Sequence, residues 1–359
     1  MADANKIDYH FKNLVFEGGG VKGIAYVGAL EVLEKEGILK DIERVAGTSA
    51  GAMVAVLIGL GYTAEEMKDI LWKIKFSDFL DKSWWLVKNT ERLIKNYGWY
   101  KGDFFRNLMA DFIKEKTGDS EVTFKDVENM KKAGKPFRDI YLIGADLSTG
   151  FSKVFSASYT PDVKVADAAR ISMSIPLIFA AVKGINEDNH IYVDGGLLDN
   201  YAIKVFDRKN YVTEKANIRK TEYYRKINKK LKESSIIKME RSIDSINEYV
   251  YNKETLGFRL DSKEEINLFI DPDAQPKTKE IKDIVDYTKA LVTTLIDFQN
   301  NVHLHSDDWQ RTIYIDTLGI SSIDFNISDS KKQKLVNSGI THTEAYLEWY
   351  NSDEKKANK

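Results

Sequence analysis

Residues 13–16, NLVF, are a short apolar run ending at Gly18-Gly19-Gly20, the pattern of a buried strand. The period then changes. Ile24, Val27, Leu30 and Leu33 recur at helical spacing, and Gly37 is placed to stop the helix. The pair repeats at once: ERVAG (43–47) predicts a second strand, and SAGAMVAVLIGLG, from Ser49, a helix whose Ala and Gly faces can lie close against a sheet. Thr63 and Glu66 have the spacing of a capping box for a further helix. This alternation predicts an α/β fold, a three-layer α/β/α arrangement around a central, mostly parallel sheet.

Further along, DIYLIGADLSTG (139–150) predicts a strand and turn, and DAARISMSIPLIF (167–179) a helix stopping before Pro176. HIYVDGG (190–196) predicts a strand ending in an acidic turn, which reaches the edge of the sheet occupied by Ser49 provided that it runs parallel to the first two strands. Residues 76–106 are rich in aromatics, including Phe76, Phe79, Trp84, Trp85 and Phe105. From about 206 the chain turns polar and basic, with 12 Lys or Arg against 5 Asp or Glu between Asp207 and Arg241. Residues 277–300 predict an amphipathic helix, and TIYIDTLGISSIDF (312–325) a return to strand and turn. The expected organisation is a core over 1–205, a polar basic insertion or cap over 206–275, and a C-terminal helix and strand-turn segment over 276–359 packing on the core.

Composition narrows the chemistry. A chain of 359 residues, 43% hydrophobic, can bury a large core, and a net charge of −2 offers no basic field for nucleic acid. With no cysteine, disulfides, thiolate metal sites and cysteine nucleophiles are excluded. No cofactor or metal site is expected. The N-terminus MADANKIDYH lacks the apolar region of a Sec signal, and the run MVAVLIGL falls far short of the roughly 20 residues of a spanning helix. The expectation is a cytoplasmic or peripheral membrane protein, with delivery into another cell without a Sec signal left open.

GTSAG (47–51) has the form G-x-S-x-G between a strand and a helix. A nucleophile on such a corner has an exposed hydroxyl, small neighbours avoid a clash, and the helix N-terminus favours developing negative charge. The same geometry serves a plain N-cap serine. GGGVKG (18–23) also lies between strand and helix, and Gly18, Gly20 and Gly23 satisfy the dinucleotide fingerprint. That reading wants an acidic ribose ligand at the end of the second strand, whereas Asp41 and Glu43 precede it. The other use of a glycine run before a helix is an oxyanion hole built from backbone N–H groups.

A serine nucleophile needs a base. His10, His190, His303, His305 and His342 occupy no obvious strand-to-loop corner. Asp194 does, followed by Gly195-Gly196, with Asp146 and Asp199 as further candidates. Taken in order, Gly18-Gly19-Gly20-Val21-Lys22-Gly23, Gly47-Thr48-Ser49-Ala50-Gly51 and Asp194-Gly195-Gly196 resemble the patatin-like phospholipase family. SMSIPLIF (172–179), TLGFRLDS (255–262) and IDTLGISSIDF (315–325) look like further segments of that family. The resemblance implies a nucleophile elbow at Ser49, Asp194 as its base in a Ser–Asp dyad without histidine, and an oxyanion hole from Gly18, Gly19, Gly20 and Val21. It implies a phospholipase A or lysophospholipase, a serine esterase of lipid degradation acting on a phospholipid or lysophospholipid substrate. The aromatic stretch 76–106 and the basic run 208–241, with Tyr211, Tyr223 and Tyr224, are candidates for peripheral membrane contact. A need for an activating partner stays open. So do two other readings: a Rossmann-like nucleotide-binding protein and a non-catalytic lipid-binding module.

Overall fold

The structure is a computed structural model that describes residues 9–79, 95, 97–185, 188–233, 248–263, 307–352 and parts of 275–295. Trp84 and Trp85, His303 and His305, and much of the helix expected over 277–300 lie outside the described residues.

One eight-stranded sheet organises the chain. Its strands are β1 (Asn13–Phe16), β2 (Arg44–Thr48), β3 (Asp139–Asp146), β4 (Phe151–Phe155), β5 (Val182–Lys183), β6 (Ile191–Asp194), β7 (Thr255–Asp261) and β8 (Thr312–Asp316). The spatial order is β8-β7-β1-β2-β3-β6-β5, with β4 also paired to β3. β8, β7, β1, β2 and β3 run parallel to one another, as the strand–helix alternation predicted. β7 is an interior strand, between β8 and β1, although it falls inside the 206–275 stretch expected to be an insertion or cap. Its sequence TLGFRLD is buried throughout, which separates it from the polar residues before it.

Period-two side chains explain the two cores. Leu14, Phe16, Val45 and Leu142 point to the face covered by helices α1 (Ala25–Lys35), α2 (Ala50–Gly59), α3 (Ala64–Lys73) and α8 (Asp329–Asn351). Val15, Ala46 and Tyr141 point to the other face, where Tyr201 and, from two short 3-10 turns, Ile203, Phe206 and Tyr211 cover them. Thr63 and Glu66 form the anticipated reciprocal capping box at the start of α3. The helix expected to begin at 167 and stop before Pro176 is α6 (Val165–Ser172), and residues 177–179 pair with a short strand at 98–100.

The basic run does not present its tyrosines to solvent as a set. Tyr211 is buried in the second core, and Tyr224 on helix α7 (Glu222–Glu233) is buried with its hydroxyl on Asp207. Asp207 also takes a two-pronged hydrogen bond from the buried Arg311, at 2.6 and 2.7 Å, which pins the segment to the strand β8 side of the sheet. Phe76, Phe79 and Phe105 of the aromatic stretch are buried as well.

Candidate active site

β6 runs antiparallel to β3, not parallel as the placement of Asp194 had assumed. Asp194 still reaches the serine, for a reason written in the strand registers. Residues 142–146 of β3 pair on one flank with β4. The opposite flank is shared: Leu142 and Ile143 pair with Gly47 and Thr48 of β2, and Gly144 to Asp146 pair with Asp194 to Tyr192 of β6. β2 and β6 therefore lie end to end along one flank of β3. Each runs toward the other, and their last residues meet.

Ser49 follows β2 directly and adopts φ 53°, ψ −123° as the N-cap of α2. A non-glycine residue in this region is strained by about 1–3 kcal/mol. Close approach explains the flanking glycines. A Cβ on Gly47 would lie 2.0 Å from the Gly51 carbonyl oxygen, and one on Gly51 would lie 2.3 Å from that of Phe16. The Ser49 amide donates to Ser172 Oγ at 3.0 Å, and that hydroxyl donates to the Ile143 carbonyl at 2.6 Å. Ser49 Oγ sits 3.7 Å from Met173 Sδ.

Asp194 is buried, and its backbone N–H donates to the Ser174 carbonyl at 2.9 Å. Its Oδ1 accepts the Gly196 N–H at 2.7 Å, while Oδ2 is buried without a formed hydrogen bond among the described residues. Burial pushes its pKa up to about 7, and the Gly196 N–H and the neighbouring Ser49 hydroxyl pull it back only in part. Asp146, the second candidate base, is committed elsewhere: it takes His190 Nδ1 at 2.7 Å and the Ser148 and Thr149 N–H groups. Asp199 contributes its carbonyl, which accepts from Thr48 Oγ1 at 3.0 Å.

The glycine loop packs against the same corner. A Cβ on Gly18 would fall 3.0 Å from Ser49 Cβ and 2.3 Å from Asn200 Oδ1. The four amides expected to form an oxyanion hole divide into two pairs. The Gly18 N–H donates to the Asn200 carbonyl at 3.1 Å and the Val21 N–H to the Ser322 carbonyl at 3.0 Å, so neither is available to a ligand. The Gly19 and Gly20 N–H groups meet no acceptor among the described residues. Gly20 has φ 56°, and a Cβ there would strike the Ser322 carbonyl oxygen at 2.0 Å, so glycine is required on both counts. Lys22 turns away and donates to the Leu260 carbonyl at 3.3 Å.

Sequence reasoning missed the residues that join these parts. Asn200 Nδ2 donates to the Gly18 carbonyl at 3.2 Å, tying the glycine loop to the turn after Asp194. Glu17, next to Gly18, is fully buried and accepts the Leu260 N–H at 2.7 Å. Burial raises its pKa to about 7, against the opposing pull of Arg259. Ser172, Met173 and Ser174 bridge Ser49 and Asp194, a role no local pattern marks. Below the serine lies a narrow apolar slot of about 30 Å³, lined by Val21, Ala50, Met53, Val54, Met173 and Phe79 among others. Among the described residues no group of acidic and histidine side chains could hold a metal ion, and no helix is long and apolar enough to cross a membrane.

A strained serine at a helix N-terminus, a buried carboxyl beside it and two unengaged glycine amides, on a mostly parallel sheet, are the parts that a serine hydrolase of the α/β class would use. The chain belongs to the patatin-like phospholipase family, whose model matches residues 14–207. It is 28% identical over 344 residues to the uncharacterized protein YqhO of Bacillus subtilis, covering 93% of this chain and 97% of that one. It is 27% identical to a probable lipid hydrolase, 463L, of invertebrate iridescent virus 6, over 56% of this chain and 66% of that one. A cGAMP-activated phospholipase of Vibrio cholerae is 26% identical over 53% of this chain and 56% of its own length. Among solved structures, VipD from Legionella pneumophila shares the fold with a TM-score of 0.59 at 15% identity, over 95% of this chain and 67% of that one.

Proposed function

We propose that this hydrolase is a phospholipase A or lysophospholipase that cleaves carboxylic esters of phospholipids through a Ser49–Asp194 dyad. The observation that carries this reading is the buried, unpaired Asp194 Oδ2 beside a serine held in a strained conformation. A binding module has no use for that strain.

In the mechanism, rotation of the Ser49 side chain brings Oγ from Met173 to Asp194 Oδ2. Asp194 takes the proton as Oγ attacks the ester carbonyl carbon. The carbonyl oxygen, now an anion, accepts hydrogen bonds from the Gly19 and Gly20 amides, helped by the positive end of α2. Collapse breaks the ester C–O bond, and the departing alkoxide recovers the proton from Asp194. The acyl–Ser49 ester is then attacked by water, which gives its proton to Asp194, and fatty acid leaves as Ser49 is restored. The apolar slot receives the start of the acyl chain. It must widen to do so, and unbranched Met53 and Met173 can repack around a ligand.

Asp194 acts as a base only when ionised. With its pKa raised to about 7, kcat/KM should climb as pH rises through about 7 and fall below it. The test is release of fatty acid and lysophospholipid from phospholipid vesicles, followed across pH. A profile flat between pH 5 and 9 would remove Asp194 as the base.

The slot makes a separate prediction. Val54→Phe fills it beside Ala50. The ratio of long-chain to short-chain ester hydrolysis should fall roughly tenfold, the scale of a few methylenes excluded from an apolar pocket. An unchanged ratio in chain-length competition assays would place the acyl chain elsewhere.

A further inference from the structure

The antiparallel end of the sheet projects past the parallel strands on the same edge as the site. Asp194 closes the inner end of β6. At the outer end, Ile191 pairs with Lys183 of β5, and the Leu147 N–H donates to the Ile191 carbonyl at 2.9 Å. The turn between β3 and β4 thus stands beside the outer end of β6. Its side chains are unusual for solvent. Phe151 is 73% exposed, the highest value for a large apolar residue among the described ones, and Leu147 is 47% exposed. On the neighbouring strand end, Tyr97 is 49% exposed with the Lys183 ammonium 5.1 Å from its ring centroid.

Charge at this tip is arranged in one direction. The Asp146 carboxylate faces inward onto His190 Nδ1 and the Ser148 and Thr149 N–H groups. Asp188 is likewise occupied by the Tyr192 hydroxyl and the Ile185 and His190 N–H groups. Lys183, exposed beside Tyr97, donates to the Lys95 carbonyl at 2.6 Å and carries the positive charge at the outer end of β6. Apolar side chains able to enter a bilayer boundary, with an ammonium group at headgroup level, fit an anionic lipid surface. The basic helix α7 is a weaker candidate. Its Arg225 and Lys226 reach Glu222, its Lys229 reaches Glu233, and its Tyr224 is buried.

We infer that the β3–β4 turn, with Leu147 and Phe151 as apolar anchors and Lys183 at the neighbouring end of β6 as the cationic contact, seats the protein on an anionic phospholipid bilayer beside the Ser49–Asp194 site. This inference rests on the lipid hydrolase reading for its purpose but is measured without it. Membrane seating would bring the ester to the mouth of the site and spare the enzyme from drawing a whole lipid into water.

The experiment is flotation of the full chain with phosphatidylcholine vesicles, with and without phosphatidylglycerol. Wild type should float more strongly when phosphatidylglycerol is present. The L147S/F151S variant should lower the partition coefficient about tenfold or more, from the apolar area kept in water. It should hydrolyse a soluble short-chain ester as wild type does. K183E should weaken the preference for phosphatidylglycerol, and K229E on α7 should not. Vesicle binding by L147S/F151S equal to wild type overturns the inference. So does a wild-type dimer that becomes monomeric in this variant while lipid binding stays the same, since the patch then serves a second copy of the chain. Should the double variant lose its circular dichroism signal, F151S alone decides, because that side chain projects into solvent. If wild type hydrolyses no ester at all, the hydrolase reading fails, yet flotation still returns its own answer on the membrane seat.

Discussion

Ser49→Ala should reduce ester hydrolysis by a factor on the order of 10⁴ or more, the scale seen when a nucleophilic serine is removed from a preorganised hydrolase site. The loss should fall on kcat. Ser49 Oγ contacts Met173 Sδ at 3.7 Å, and the slot and glycine amides proposed to bind substrate remain in place. Folding should hold or improve, because alanine removes no strong hydrogen bond. The strained φ of 53° persists in the variant, since Gly47 and Gly51 are packed against backbone atoms that fix the corner. Parallel assays of turnover and thermal unfolding test this. A variant that keeps a tenth or more of wild-type activity with intact folding would show that the ester is attacked by another group.

Asp194→Asn should cost about 10³–10⁴ in kcat, because an amide accepts no proton at neutral pH. It should also change stability in a direction set by the pKa. Burial raises the native Asp194 pKa from 3.8 to about 7, so the folded state prefers the neutral acid. Its contribution to stability is fully present below pH 3.8 and is lost as pH rises through about 7. Asparagine is neutral throughout. The variant should therefore unfold at a higher temperature than wild type at pH 8, with an upper bound of about 4 kcal/mol, and the difference should vanish below pH 4. Glu17 titrates in the same range but lies behind the glycine loop, bonded to the Leu260 N–H. If the pH dependence of residual activity survives Asp194→Asn, Glu17 is its source, acting on loop geometry. If stability at pH 8 falls instead, the Asp194 carboxyl is held ionised by contacts stronger than its burial.

Strand and helix patterns made the first half of the sheet legible, since β1, β2 and α2 are short apolar runs buried almost throughout and α1 repeats its apolar residues at helical spacing. The elbow was legible for the same reason. Gly47 and Gly51 flank Ser49 within five residues; the clash that Gly47 avoids lies inside that window, at Gly51, while the one that Gly51 avoids is with Phe16 of β1. β7 was hidden because its buried run stands after a long polar segment, and only its pairing with β1 and β8 reveals it as an interior strand. The helix stops before Pro176 as expected, and residues 177–179 have a strand partner at 98–100, far away in sequence.

What the sequence determined by itself is the local chemistry: a corner serine, a glycine run and a carboxylate before two glycines, each encoded in a handful of adjacent residues. What only the tertiary structure decided is how they meet. The direction of β6, its end-to-end meeting with β2, and the sorting of the glycine amides depend on Asn200, Ser322 and Ile143, residues distant from the groups they govern. A strand's orientation and a carbonyl's choice of donor are settled by which backbone groups remain unpaired once the sheet is assembled, and a buried polar group must find its partner there. That accounting is global, and no short window of sequence contains it.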